Sequence, residues 1–111
     1  MKKLLNISEI LFYYDLPMIF LAKDNVGIDY LCMLVNNEDQ TYISTSISQN
    51  RLTSFINGVT DLLDIFVNPE TNEWFYFQRI SENIEAMRWQ EKTLPDDYLP
   101  ERGFILNYCT K

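Results

Sequence analysis

Two pairs of carboxylates have the spacing needed to act together. Asp61 and Asp64 are three residues apart and would share one face of a helix, and Glu82 and Glu85 would do the same if their segment is helical. Paired carboxylates bind Mg²⁺, or act as acid and base when desolvation separates their pKa values. However, Asp61 also suits a helix N-terminus, where the helix dipole favours negative charge. No nucleophile or basic substrate clamp stands near either pair in the sequence, so we assign them no catalytic or metal-binding role.

The chain of 111 residues contains no histidine, which is the usual proton-transfer side chain near neutral pH and the commonest metal ligand. Its three glycines do not form a phosphate-binding loop of the standard type. The hydroxyl-rich run at 44–48 has no histidine or paired lysine to act as a base. The sequence therefore predicts a protein that is not an enzyme and has no cofactor and no metal site.

The charge of the chain is acidic and unevenly distributed. The net charge is −7, and residues 60–101 carry ten acidic side chains against three basic ones. This balance disfavours direct binding to nucleic acid, which requires a basic surface. It suits a basic protein partner, but keeping a small domain in solution is by itself enough to explain it.

Aromatic side chains form 14% of the chain, more than a small core must hold. Because Tyr, Trp and Arg are enriched at the energetic centres of interfaces, we predict an exposed anchor made of Arg88 and Trp89 with Tyr76 or Tyr98. The alternative, that Trp74 and Trp89 are ordinary core residues, stays open. Together with the acidic pairs, this reasoning gives one set of candidate partner-binding residues: Asp61, Asp64, Tyr76, Glu82, Glu85, Arg88 and Trp89.

The first half of the chain reads as strands. Alternating, β-branched and aromatic residues predict strands over 7–14, 17–23, 28–35 and 41–47. Turns are predicted at Asp15-Leu16-Pro17 and at Asp24-Asn25-Val26-Gly27, where glycine can adopt positive φ.

The second half begins with helical periodicity. Apolar residues recur at steps of three and four between 52 and 66, which predicts helices at about 49–57 and 60–66, with Ser48 as an N-cap and Gly58 between them. A strand over 73–80 with aromatic residues on both faces follows, then a short helix within 82–92 and an extended loop over 93–103. The apolar segment 104–106 is expected to pack against the sheet or to form an edge strand.

These elements predict a single α+β domain over residues 1–111, an antiparallel β-meander with one or two helices packed on one face. The apolar start of the chain lacks a cleavage site, and no apolar run is long enough for a membrane span, so we expect a cytoplasmic protein. Cys32 lies in an apolar run and is expected to be a buried thiol, since a disulfide is disfavoured in the cytosol.

The sequence as a whole resembles a family of short bacterial proteins catalogued only as a domain of unknown function. The resemblance implies a bacterial or phage origin and a single domain, and it implies no activity, cofactor or functional residue. It is carried along nearly the whole chain by these turn, cap and core signals: Tyr13-Tyr14-Asp15-Leu16-Pro17 with Phe20, Asp24 and Gly27; Tyr30-Leu31-Cys32; Ser48 with Arg51-Leu52 and Phe55; Gly58 with Asp61-Leu62; and Leu99-Pro100-Glu101-Arg102-Gly103-Phe104.

The leading hypothesis is a non-enzymatic, acidic protein-binding domain, of the kind found among immunity proteins, inhibitors and accessory proteins of bacterial toxin or phage-defence systems. One alternative is a nucleic-acid mimic that inhibits a DNA-binding protein or nuclease. Another is a homo-oligomeric structural subunit, because a two-faced aromatic strand with an uncovered edge invites strand pairing.

Overall fold

The computed structural model describes residues 2–81 and 83–100. Its strands are β1 (Lys2–Tyr14), β2 (Leu16–Lys23), β3 (Asp29–Asn36), β4 (Thr41–Ser46), β5 (Phe75–Gln78) and β6 (Ile84–Arg88). Helices α1 (Gln49–Ile56) and α2 (Leu62–Val67) lie between β4 and β5, and a 3₁₀ helix (Asp96–Tyr98) follows β6. None of the helices in this part of the chain is long and apolar enough to cross a membrane. The predicted packing of 104–106 lies outside the described residues.

The six strands form a closed antiparallel barrel in which each strand pairs with the next along the chain. The barrel closes where β6 pairs with the start of β1, from Lys2 opposite Met87 to Leu5 opposite Ile84. The predicted fold, an open α+β meander sheet with helices on one face, is therefore wrong, because the sheet curls round until its first and last strands meet. Closure gives β1 two partner strands, β6 along Lys2–Leu5 and β2 from Asn6 onward, and β6 pairs with both β5 and β1.

The error in the predicted fold has its source in β6. The sequence predicts a short helix within 82–92, but Ile84 and Ala86 are buried in the barrel while Glu85 and Met87 are exposed. This is a strand alternation, and over only five residues it is too short to stand out from its polar neighbours. The predicted strand at 7–14 likewise begins earlier, at Lys2, and those added residues pair with β6.

Among the described residues, aromatic side chains fill much of the barrel interior, as expected for a small barrel. Phe20 meets the ring of Tyr42 edge-on at a centroid distance of 5.5 Å, and Tyr42 stacks on Phe77 at 5.2 Å. The Tyr42 hydroxyl donates a hydrogen bond to the Pro17 carbonyl (2.7 Å), and burial raises the pKa of Tyr42 to about 12. Cys32 is a free thiol fully buried in the same interior, where burial raises its pKa.

A second apolar cluster lies outside the barrel and joins β2, β3 and β4 to the two helices. The helices occupy nearly the predicted positions because their ends are set locally. The Ser48 hydroxyl accepts the Arg51 N–H, and an Asp61 carboxylate oxygen accepts the Asp64 N–H. Gly58 lies between the helices with φ at 78°, a conformation that most residues avoid. Trp74, packed in this cluster, donates from Nε1 to the Phe66 carbonyl (2.8 Å) and is a core residue.

One end of the barrel is fastened by a buried carboxylate in the turn between β2 and β3. Asp24 Oδ1 accepts the N–H groups of Val26 (3.0 Å) and Ile28 (2.9 Å), and Oδ2 accepts the Tyr30 hydroxyl (3.3 Å). Lys3 Nζ lies 4.0 Å from Oδ2. Burial by itself would raise the pKa of Asp24, but the hydrogen bonds from Ile28 and Val26, the Lys3 charge and the Tyr30 hydroxyl outweigh it and hold the pKa below its usual range.

Candidate partner-binding groove

A groove of about 450 Å³ opens on the outer surface of β5 and β6. The outer surface of β4 and β5 contributes Thr41 opposite Gln78, and that of β5 and β6 contributes Tyr76 opposite Met87. Residues opposite each other across antiparallel strands project to the same side, so these side chains form one surface. Trp89 and Tyr98, from the chain that follows β6, also line the groove.

Three aromatic rings form a continuous group in this groove, which we call the aromatic triad: Tyr76, Trp89 and Tyr98. The Trp89 ring lies 5.6 Å from Tyr76, with the ring planes at 88°, and 5.9 Å from Tyr98, with the planes at 54°. In such edge-to-face and tilted arrangements one ring sets its edge against the other, so the two rings overlap less than in a parallel stack. All three side chains are only partly buried, so the triad contributes ring surface to the groove.

Two hydrogen bonds position Trp89, the central residue of the triad: one from its ring and one from its backbone. Trp89 Nε1 donates to the Thr93 carbonyl (3.0 Å), and the Trp89 backbone N–H donates to the Trp74 carbonyl (2.8 Å). Tyr98 ends the 3₁₀ helix, and its N–H donates to the Pro95 carbonyl (2.9 Å). The loop predicted over 93–103 is therefore folded at this point, and it positions Tyr98 beside Trp89.

Of the described residues that line the groove, the two charged ones are acidic. Asp39 comes from the turn between β3 and β4, and Glu85 comes from the outer side of β6. Asp39 Oδ1 accepts a hydrogen bond from the Thr41 hydroxyl (2.6 Å), whose oxygen in turn accepts from Gln78 Nε2 (3.4 Å). Among the described residues that line the groove there is no lysine or arginine, so its local charge favours a cation.

The structure brings together three of the predicted partner-binding residues, Tyr76, Glu85 and Trp89. Arg88, although next to Trp89 in sequence, does not line this groove; its guanidinium lies 3.7 Å from the Glu73 carboxylate. Glu82 lies outside the residues that the structure describes.

The other acidic pair, Asp61 and Asp64, lies outside the groove and makes contacts within the helical segment. Asp61 caps α2, and Asp64 Oδ2 lies 3.2 Å from Nη2 of Arg51, which also donates to the Asp64 carbonyl. These contacts tie α1 to α2. Within residues 2–81 and 83–100, no three cysteine or carboxylate side chains are arranged to hold a metal ion.

Sequence reasoning missed Asp39 as a groove residue. It lies in a polar turn between strands, and nothing in its spacing relates it to Trp89. Asp39 reaches the groove because Thr41 pairs with Gln78, and this pairing places the turn before Thr41 at the edge of the groove. The sequence offers Tyr98 as an alternative to Tyr76, whereas the structure places both rings beside Trp89.

A second, smaller groove of about 230 Å³ lies on the other side of Tyr98. Its walls are mostly apolar and come from the β1–β2 hairpin, β3 and the segment after the 3₁₀ helix, including Met18, Met33 and Leu99. Asp97 is the one charged residue among the described residues that line it, so it offers little chemistry beyond apolar contact.

A family model described as a family of unknown function, DUF6575, matches residues 3–109. Neither a curated protein nor a solved structure matches the chain.

Proposed function

We propose that this chain, which belongs to the DUF6575 family, is a non-enzymatic domain that binds a basic protein partner through the groove on β5 and β6. The family resemblance recognised from the sequence is confirmed over almost the whole chain. Since the family description gives no activity, the proposal is supported by the composition of the groove.

The aromatic triad on an acidic groove is the observation that carries the proposal. Tyrosine and tryptophan are enriched among the residues that contribute most to binding energy at interfaces. The hydrogen bond from its indole N–H already fixes the Trp89 ring, so less side-chain freedom is lost when a partner binds. Rigid aromatic side chains on a partly open surface are therefore well suited to contact another protein.

The surroundings of the groove extend this surface. Leu4 pairs with Glu85 across the closure of the barrel, and Leu4 and Met87 are 52% and 43% exposed. An apolar margin beside two carboxylates resembles the mixed composition of protein interfaces. The net charge of −7 would also accelerate the approach of a basic partner and exclude acidic ones.

In biological terms, the proposal is a cytoplasmic bacterial immunity protein, inhibitor or accessory protein of a toxin or phage-defence system. Such proteins act by occupying a surface of another protein and need no catalytic residues. The absence of histidine and the acidic charge motivate this class, and the triad supplies a surface on which the partner would be held.

The test is affinity capture from the native host with three forms of the tagged protein at low and high salt. Wild type and Glu9→Lys should retain the same partner, whereas Glu85→Lys should lose most of it. Glu9 is an exposed carboxylate on β1 that does not line the groove, so both variants change the net charge equally. Thermal unfolding of each form checks that the fold is kept.

Two results would contradict the proposal. One is capture of the partner by Glu85→Lys as strongly as by wild type, which would place the interface elsewhere. The other is the absence of any partner at either salt concentration. Light scattering on the wild-type protein addresses self-association, and a stable dimer whose formation does not depend on Glu85 would favour the structural-subunit interpretation instead.

A further inference from the structure

We propose that the groove on β5 and β6 binds a single arginine side chain of the partner, with its guanidinium group against the aromatic triad and between the carboxylates of Asp39 and Glu85. This inference rests on the proposed function and names the chemical group that the groove would recognise.

The spacing of the rings supports a planar cation as the ligand. A cation is attracted to an aromatic face when it lies within about 6 Å of the ring centroid. Because Tyr76 and Tyr98 lie 5.6 Å and 5.9 Å from Trp89, a cation at Trp89 can be near a second ring at the same time. A guanidinium group is flat and weakly hydrated, so it stacks on such faces more readily than the ammonium of lysine.

The polar side chains of the groove also suit a guanidinium group. Asp39 Oδ1 accepts the Thr41 hydroxyl, which Gln78 holds in turn, so the orientation of the Asp39 carboxylate is set before a ligand binds. A guanidinium has five N–H donors that lie in its plane and point outward, so it can bond to acceptors on two of its edges at once. The carboxylates therefore supply charge and hydrogen-bond acceptors, while the rings supply surface for the flat faces.

The size of the groove is also informative. A volume of about 450 Å³ falls within the usual range for ligand sites, about 300–1,000 Å³, and it exceeds what an isolated inorganic cation needs. It has room for a long side chain together with some of the peptide that carries it. An arginine presented by a protein segment therefore agrees with both the volume and the charge of the groove.

The experiment is an NMR titration of the ¹⁵N-labelled protein with three blocked amino acids: N-acetyl-arginine methylamide, its neutral isostere N-acetyl-citrulline methylamide, and N-acetyl-lysine methylamide. The chain has two tryptophans, so two indole N–H signals report on the protein. Trp89 lines the groove, and Trp74 is buried with its indole N–H bonded to Phe66, which makes it an internal reference. A Trp89→Phe variant assigns the two signals.

We expect the Trp89 indole signal to shift saturably with the arginine probe, with the Trp74 signal unmoved. The citrulline probe should bind at least tenfold more weakly, and the lysine probe should bind more weakly than arginine. Glu85→Gln should weaken arginine binding at least threefold, and Glu9→Gln should leave it unchanged. Thermal unfolding of both variants verifies that they fold.

Equal binding of citrulline and arginine would overturn the inference, because charge would then play no part. So would a Trp89 signal that does not move, or equal movement of both indole signals. The titration uses no partner, so its outcome is separate from that of the capture experiment. A partner that depends on Glu85, combined with no response to arginine, would leave the proposed function standing and reject the arginine site.

Discussion

Replacing Asp24 by alanine removes one buried acceptor group that serves three donors in the β2–β3 turn and its neighbouring strand. The side chain accepts the N–H groups of Val26 and Ile28 and the hydroxyl of Tyr30. Hydrogen bonds to a charged group contribute about 1.5–3 kcal/mol each, and water can replace part of them at an exposed turn. We therefore expect Asp24→Ala to lower the free energy of unfolding by about 3 kcal/mol, a large share of the about 5–15 kcal/mol typical of a domain.

The isosteric variant Asp24→Asn tests the negative charge of the side chain separately from the geometry of its hydrogen bonds. Its side-chain oxygen can still accept the Val26 and Ile28 N–H groups, but it loses the negative charge that Lys3 and Tyr30 face. Lys3 is 36% exposed and 4.0 Å away, so its ion pair contributes little. We expect a loss of about 1 kcal/mol for Asp24→Asn, the scale of one ordinary hydrogen bond.

The pH dependence follows from the lowered pKa of Asp24. At a pH between the pKa of Asp24 in the folded protein and its higher pKa in the unfolded chain, the unfolded chain binds the proton more readily. The stabilisation is thus complete above the unfolded pKa, about 3.9 for aspartate, and is lost as the pH falls through the folded pKa. The stability difference between wild type and Asp24→Asn should be constant from pH 7 to pH 5 and should shrink at more acidic pH.

Urea unfolding followed by tryptophan fluorescence measures these differences at a series of pH values. Glu38→Gln serves as the control, since it neutralises an exposed carboxylate in another strand-connecting turn. Equal losses for the alanine and asparagine variants would show that the bonds to the turn amides do not stabilise the barrel. A wild-type advantage over Asp24→Asn that grows on acidification would refute the direction of the pKa shift.

Two further predictions concern the turn glycine and the buried thiol. Gly27 has φ at 90° and nothing within 4 Å of an added Cβ, so Gly27→Ala should cost about 1–2 kcal/mol through backbone strain alone. Urea unfolding measures this cost, and a neutral effect would refute the strain. Cys32, in a Cys109→Ser background, should react with a thiol reagent at pH 8 only as fast as the protein opens, because it is buried and its pKa is raised. Reaction as fast as that of the unfolded protein would contradict its burial.

The elements that the sequence predicted are those whose signals are local. Ser48 and Asp61 cap the helices with their own side chains, and Gly58 separates them, so three short motifs were enough. The first four strands follow from alternation and turn residues. Barrel closure has no such signal, because it depends on the pairing of β1 with β6, at opposite ends of the described chain.

The same distinction applies to the groove. Residue type alone pointed to Tyr76 and Trp89, since tyrosine and tryptophan are enriched at interfaces. Aromatic residues on both faces of the strand predicted over 73–80 indicated that both sides are covered or that one side meets a partner. The structure supplies that cover: Phe75 and Phe77 lie in the barrel interior, while Trp74 and Tyr76 pack on the outside. Asp39 could not be found in this way, because only the register of β4 against β5 brings its turn to the groove.

The closure of the barrel also has a consequence for the order in which the protein folds during synthesis. Lys2–Leu5 leave the ribosome before the strands that follow them, yet their partners, Ile84–Met87, belong to the last strand of the described residues. The nascent chain must therefore carry one free edge of β1 until β6 emerges, and loop-closure entropy delays this contact further. Until then, hydrophobic side chains such as Leu5 and Ile84 lack the closed barrel that buries them, which makes this interval the one in which a chaperone would be most useful.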